Sequence, residues 1–299
     1  MRLRRAFLSC LLVSLLPAAA IAEDPRWDDR FGFPGVNGLV KAAAWHGGRL
    51  YIGGDFTEAG GAPASGLACW DGRRWSDPGP LGTSGTVHPT VNALLSTPQG
   101  LVVGGFFTRA AGTEASNLAL WDGSSWSALG GGMGNEVHAL AEVDGTLFVG
   151  GRFKTAGGVP ASRIARWDGI SWSPLGAGVN NPSDDAAVHA IAVFGDRIVV
   201  GGSFDEAGGS DALYIAQWDG AAWSDLDVGV DATVWSLAAF GDYLFVGGAF
   251  THAGASTALH LALWDGSAWT PLAGGGANGP VRAMLEWNGS LVFAGDFTS

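Results

Sequence analysis

The chain has little cysteine, little tyrosine or methionine and little charge. Of 299 residues, two are Cys, three are Tyr, three are Met, and 15% are charged. Cys10 lies in an N-terminal apolar run, which leaves Cys69 as the one thiol of the remainder. One thiol forms no intramolecular disulfide, so stability must come from packing. Cys69 stands just before Trp70, where the matching positions carry Leu120, Arg166, Gln217 and Leu263. A position that accepts such different residues is expected to be a partly exposed strand site and not a reactive thiol. Basic residues are also scarce, with 16 Lys and Arg against 28 Asp and Glu and a formal net charge of −12. A surface of that sign repels phosphate backbones and anionic membranes, which argues against nucleic acid and membrane partners. No Gly-Lys-Ser/Thr follows any glycine pair, so a nucleotide-binding loop is not indicated.

The apolar run over residues 6–16 is too short to span a bilayer. Arg2, Arg4 and Arg5 precede it and Ala20-Ile21-Ala22 follows it. This order reads as a secretory signal peptide over residues 1–22, with cleavage after Ala22. The expected destination is outside the cytoplasm: secreted, periplasmic or at the cell surface. Removing the three arginines takes the net charge from −12 to −15. Residues 23–299 are then expected to form one monomeric domain with no membrane insertion.

What the chain does contain is 49 Gly, 14 Trp and 15 Phe, arranged periodically. Glycine pairs begin at Gly53, Gly104, Gly150, Gly201 and Gly247, with Ala294-Gly295 in the last place. Trp-Asp-Gly begins at Trp70, Trp121, Trp167, Trp218 and Trp264, and both series step by 51, 46, 51 and 46 residues. A period near 50 with strand-like content marks a repeat architecture. Each unit carries four strand signals: a segment opening on Val, a segment ending at the glycine pair, and two segments each holding a Trp. Asp144-Gly145 joins the first two strands of its unit in the pattern of a two-residue hairpin. Each unit therefore reads as a four-stranded antiparallel meander.

The opening Val recurs at Val40, Val91, Val137, Val188, Val234 and Val281, giving six first hairpins. The Trp hairpin has five full copies, and Trp27-Asp28-Asp29-Arg30-Phe31 reads as a shortened sixth. N-terminal strands within residues 24–33 would then complete the last unit and close a ring, which removes exposed sheet edges. The expected fold is an all-β, six-bladed β-propeller of four-stranded antiparallel blades. An open solenoid competes, as does a fragment of a longer array.

The order strand, hairpin, strand, Gly-Gly, loop, Trp strand, turn, Trp strand resembles the kelch repeat of galactose-oxidase-type propellers. The string GGxFxxAGGxxASxxAxWDGxxW, nearly intact over residues 150–172, is similar to repeats of secreted bacterial propellers and fungal cortical polarity-marker proteins. The chain departs from the kelch pattern where Trp121 stands in place of a Tyr. The resemblance implies a propeller, and propellers serve many functions. Galactose-oxidase copper chemistry does not carry over, since Tyr51, Tyr214 and Tyr243 lie in ordinary strand registers.

The recurring Trp pairs and Phe56, Phe107, Phe153, Phe204, Phe250 and Phe297 are expected to be core. The glycine pairs read as backbone crowding or positive φ, and the Asp of each Trp-Asp-Gly as a turn cap. Function is sought where the units differ. One residue after each opening Val stand Lys41, Asn92, His138, His189, Trp235 and Arg282. If the first strands are innermost, these form a ring at the mouth of a central channel and a candidate ligand site; solvated channel lining is the plainer reading. His138 and His189 fall in adjacent units, yet no Cys, Asp or Glu in that register completes a four-donor metal site. Ca²⁺ could use acids on the long-loop face, among them Asp184, Asp205, Glu206, Asp211 and Asp231, although no Ca²⁺ motif is present and no cofactor is expected. Glu142 and Glu286 share a register three units apart and keep a glycoside hydrolase or lyase as a rival. The residues favour a non-enzymatic module that binds an extracellular protein or glycan on the long-loop face and channel mouth, with a structural envelope role as the second rival.

Overall fold

The computed structural model describes residues 35–272 and 274–298. The expected signal peptide over residues 1–22 and the expected N-terminal strands within residues 24–33 lie outside the described residues. Among the described residues the regular structure is all strand, and no helix is long and apolar enough to cross a membrane.

Five four-stranded antiparallel sheets follow one another along the chain, and a two-stranded hairpin comes last. Sheet 3 shows the plan, with strands Val137–Val143, Thr146–Gly151, Ile164–Trp167 and Trp172–Pro174. Sheets 1, 2, 4 and 5 open with Leu39–His46, Thr90–Thr97, Ala187–Phe194 and Val234–Phe240. Sheet 6 consists of Val281–Trp287 and Ser290–Gly295. The first turn of sheet 3 has positive φ at both Asp144 (49°) and Gly145 (77°), as a type I′ hairpin turn requires.

The stretch after each glycine pair, expected as a loop, contains a two-residue hairpin. Examples are Glu58–Ala59 with Ala62–Pro63 and Thr155–Ala156 with Val159–Pro160. Each hairpin is pinned to the linker that leads into its own sheet. In sheets 1, 3 and 5 the pin is a single bridge, Val36 to Ala59, Met133 to Ala156 and Val230 to Ala253. In sheets 2 and 4, whose linkers are five residues longer, it is a strand pair, Leu81–Gly82 with Arg109–Ala110 and Val179–Asn180 with Glu206–Ala207. The pinned alanines are 0–3% exposed, so this face of the molecule is built rather than loose.

Neighbouring sheets meet through one repeated contact. A Cβ built on Gly53, Gly104, Gly150, Gly201 or Gly247 would run into Val91, Val137, Val188, Val234 or Val281 of the next sheet. Those five valines are 0% exposed. The first glycine of each pair is therefore a packing requirement between sheets. Crowding is the whole reason, since none of these glycines has positive φ.

The Trp pairs and Phe residues form the core between sheets. Trp70, Trp126, Trp172, Trp218 and Trp264 are 4–9% exposed, and Phe107, Phe153 and Phe250 are fully buried. Within a pair the ring centroids lie 5.1–5.4 Å apart. The second indole also ties its sheet to the preceding linker: Trp172 Nε1 donates to the Gly130 carbonyl at 2.9 Å and Trp269 Nε1 to Leu226 at 2.9 Å. The Trp-Asp-Gly aspartates cap their turns, with Asp168 Oδ1 accepting from the backbone N–H of Ile170 and Ser171. These hydrogen bonds hold the Asp168 carboxyl below the usual carboxylate range. Cys69 departs from expectation. It is 2% exposed and belongs to the core cluster of Tyr51, Leu67, Leu81 and Val91 between sheets 1 and 2.

Candidate functional site

In every sheet the pairing of the first two strands skips one residue. The skipped residues are Lys41, Asn92, His138, His189, Trp235 and Arg282. Each of the six sequence-selected positions is therefore a β-bulge, an irregularity that turns a side chain away from the ladder. The second glycine of each pair permits the bulge. A Cβ on Gly54, Gly105, Gly151, Gly202, Gly248 or Gly295 would strike the carbonyl oxygen two residues before the skipped one.

The bulged side chains lean on one another in sheet order. Lys41 Nζ donates to Asn92 Oδ1 at 3.2 Å, and Asn92 Nδ2 donates to the Val137 carbonyl at 3.1 Å. The His138 and His189 rings are 5.2 Å apart and the His189 and Trp235 rings 4.7 Å apart. The Arg282 guanidinium lies 5.1 Å from the Trp235 ring centre and donates to Asp296 Oδ2 at 2.6 and 2.9 Å. Beneath this belt lies a cavity of about 240 Å³ lined by residues of all six first strands, including His138, His189, Trp235 and Arg282. The layer next to the bulge is Ala42, Ala93, Ala139, Ala190 and Ala283, with Ser236 as the exception, and all six residues line the cavity.

Both imidazoles are neutral at neutral pH. Burial pushes His138 down to about 4, with Arg152 and Lys41 adding to the effect. Burial pushes His189 down to about 3, with His138 and Arg152 contributing. The Glu136 carboxylate lies 3.4 Å from His138 Nε2, yet the contact lacks hydrogen-bond geometry and desolvation outweighs it. His138 Nε2 and Ser236 Oγ are buried without a hydrogen-bond partner.

The long-loop face carries the acids that the sequence placed there. Asp205, Glu206 and Asp211, joined by Asp225 and Asp227, line a cavity of about 500 Å³ with Leu213 and Val228, which are 43% and 60% exposed. Asp184 is paired instead, with Lys154 and with Arg163 Nη2 at 2.7 Å, and Asp231 accepts from the N–H groups of Thr251 and His252. Among the described residues no group of three or more His, Cys, Asp or Glu is arranged to hold a metal ion. Glu142 and Glu286 do not line the central cavity.

One variable register escaped the sequence reading. Gly66, Asn117, Arg163, Tyr214 and His260 open the third strands, all at positive φ between 62° and 75°. Two of these side chains hold linkers. Asn117 Nδ2 donates to the Met133 carbonyl at 2.9 Å. Arg163, 2% exposed, donates to the Ala186 and Asp184 carbonyls at 3.2 and 3.0 Å and so fixes the longer linker of sheet 4. The Gly at the first of these positions was the available signal, since only a left-handed site unites it with Asn and His.

Residues 144–167 match the model of a domain of unknown function, DUF5122, described as a β-propeller. No curated protein sequence matches the chain. Among solved structures, the crystal structure of the computationally designed Ika8 protein is similar at 16% identity and a TM-score of 0.52, covering 85% of this chain and 67% of that one. The structure of YCF48 bound to D1 peptide is 13% identical over 83% of this chain and 72% of that one, with a TM-score of 0.47. The repeated four-stranded sheets together with the DUF5122 match make the chain a β-propeller, a fold that serves as a binding module or scaffold.

Proposed function

We propose that the chain is a secreted, monomeric, kelch-like propeller that binds an extracellular protein or glycan through its channel mouth and long-loop face. The observation that carries this reading is the bulge shared by Lys41, Asn92, His138, His189, Trp235 and Arg282. A constant backbone device that presents five kinds of side chain at six equivalent positions, four of them on one cavity, separates recognition from folding. The proposed ring has six blades, with residues 24–33 supplying the outer strands of the last. Support comes from the linker into sheet 1. The Gly60 N–H donates to the Gly35 carbonyl as Gly157 does to Gly132 and Gly254 to Gly229. The chain thus enters sheet 1 along the path that elsewhere leads from one sheet to the next. Catalysis has weaker support, since the candidate pair Glu142 and Glu286 stands away from the cavity.

Replacing His138, His189, Trp235 and Arg282 together by Ala is expected to abolish retention on an array of glycans and envelope proteins while the circular-dichroism spectrum stays that of the parent. Undiminished retention refutes the site.

A further inference from the structure

We propose that Asn288 is a site of spontaneous modification: the Gly289 backbone nitrogen attacks the Asn288 carboxamide, and with water the turn of sheet 6 converts to aspartate and isoaspartate. The site stands apart from the channel mouth and does not rest on the binding reading.

The starting point is a comparison within the chain. Asn-Gly occurs three times, at Asn37-Gly38, Asn278-Gly279 and Asn288-Gly289. Glycine has no side chain to shield its nitrogen, so each pair carries the same intrinsic chemistry. The fold treats the three differently. Asn37 Oδ1 accepts from the N–H groups of Thr57 and Glu58 at 2.8 and 3.0 Å, and its Nδ2 donates to Thr57 Oγ1 at 2.8 Å. Asn278 Oδ1 accepts from the Thr298 N–H at 2.8 Å, and its Nδ2 donates to Thr298 Oγ1 at 2.9 Å. Both carboxamides are clamped. Asn288 is exposed, and its carboxamide makes no hydrogen bond among the described residues.

The place of Asn288 in the fold adds mobility. Asn288 and Gly289 form the turn between the paired Trp287 and Ser290, at φ of 49° and 72°. Their sheet has two strands, on which Leu285, Trp287 and Val292 are 53%, 64% and 46% exposed. A two-stranded hairpin draws little stability from its own pairing, so its turn opens at lower cost than a clamped linker. Opening is what the reaction needs, because the nitrogen must swing onto Cγ.

The steps balance with water as the sole co-reactant. The Gly289 nitrogen bonds to Cγ and gives its proton to solvent, Nδ2 leaves as ammonia, and a cyclic succinimide results. Water then opens the ring. Attack at Cγ gives aspartate, and attack at the main-chain carbonyl gives isoaspartate, whose chain runs through the former side chain. Aspartate fits this turn, since sheet 3 carries Asp144-Gly145 in the same place at φ of 49° and 77°. Isoaspartate does not fit: it adds a methylene to a turn whose length sets the strand register.

The experiment incubates the folded chain at mildly alkaline pH. The chain is made in a host that adds no N-linked sugar, because Asn288-Gly289-Ser290 also fits that acceptor pattern. Peptide mass mapping follows the exchange of amide for acid at each Asn-Gly pair, and methyltransferase labelling reads isoaspartate. Asn288 is expected to react about 10-fold or more faster than Asn37 and Asn278, the worth of the neutral hydrogen bonds that must break at those two. In denaturant the three rates should converge. Asn288→Gly reproduces the Gly47-Gly48 turn of sheet 1, at φ of 56° and 76°, and should fold and release no early ammonia. An Asn288 rate no faster than the other two in the folded chain, or an equal advantage in denaturant, overturns the proposal.

Discussion

The inner junctions between sheets and the two outer faces of the array use the same sequence positions to opposite effect. From sheet 1 to sheet 6, each junction seats a valine over a glycine, and Val91, Val137, Val188, Val234 and Val281 are 0% exposed. The matching valine of sheet 1, Val40, is 50% exposed, and the matching residue of sheet 6 is Ala294 in place of Gly. Val292 and Phe293 of sheet 6 are 46% and 37% exposed, while Phe148 and Val149 in the same registers of sheet 3 are 7% and 0%. Burial here belongs to the junction and not to the residue. A strand of this repeat is apolar on both faces because it expects two neighbours, and at Val40, Val292 and Phe293 part of that surface stands in water.

The largest effect should come from breaking an inner junction. Gly150→Val puts a branched side chain where Val188 already sits and should cost about 3 kcal/mol or more; Ala294→Val should cost less than about 1 kcal/mol if sheet 6 has an open face, and as much as Gly150→Val if the proposed ring closes Ala294 on Val40. Urea unfolding of both variants, with equal losses, would erase the distinction between junction and face. The next effect tests the proposed closure. In the chain from residue 23 onward Phe293→Ala should cost about 2 kcal/mol, and deletion of residues 23–33 should remove most of that cost. Additivity of the two changes, read from the same denaturant curves, would show that the N-terminal segment does not cover Phe293.

The third test is graded by pH and concerns the junction of sheets 3 and 4, where His138 and His189 meet. Both are held neutral, with folded values of about 4 and about 3 against an ordinary 6.5. The unfolded chain therefore binds protons first as the pH falls. Stability carried by the neutral form is fully present above pH 6.5 and is lost as the pH falls through about 4, at up to about 1.4 kcal/mol per pH unit for each histidine. Melting curves from pH 7.5 to 4 should slope more steeply for the parent than for a His138→Phe, His189→Phe variant. Parallel slopes would place the acid sensitivity elsewhere, for instance in the turn-capping aspartates.

The sheets and their order were legible in the sequence because glycine, valine and tryptophan recur at fixed spacing, and each of these residues meets one geometric demand. The candidate ring was legible as a position, since the residue after the opening Val changes among Lys, Asn, His, Trp and Arg while the Val does not. Its bulge was not legible. A skipped residue leaves no mark on the alternation of side chains within its own strand, and only the pairing of Val137 with Gly151 and of Ala139 with Gly150 discloses it. Variation proved an imperfect guide to function, since Arg163 varies as freely as His138 yet serves the length of a linker. The short hairpins after the glycine pairs were hidden because two-residue strands show no periodicity.

The bulge also bears on how such a molecule can change. A residue in register answers to its partner across the strand, so altering it disturbs the pairing. A skipped residue has no such partner, and Lys, Asn, His, Trp and Arg all occupy the position on equivalent backbones. Mutation at these six sites explores new surfaces with little risk to folding, whether the search is run by natural descent or by a combinatorial library in the laboratory.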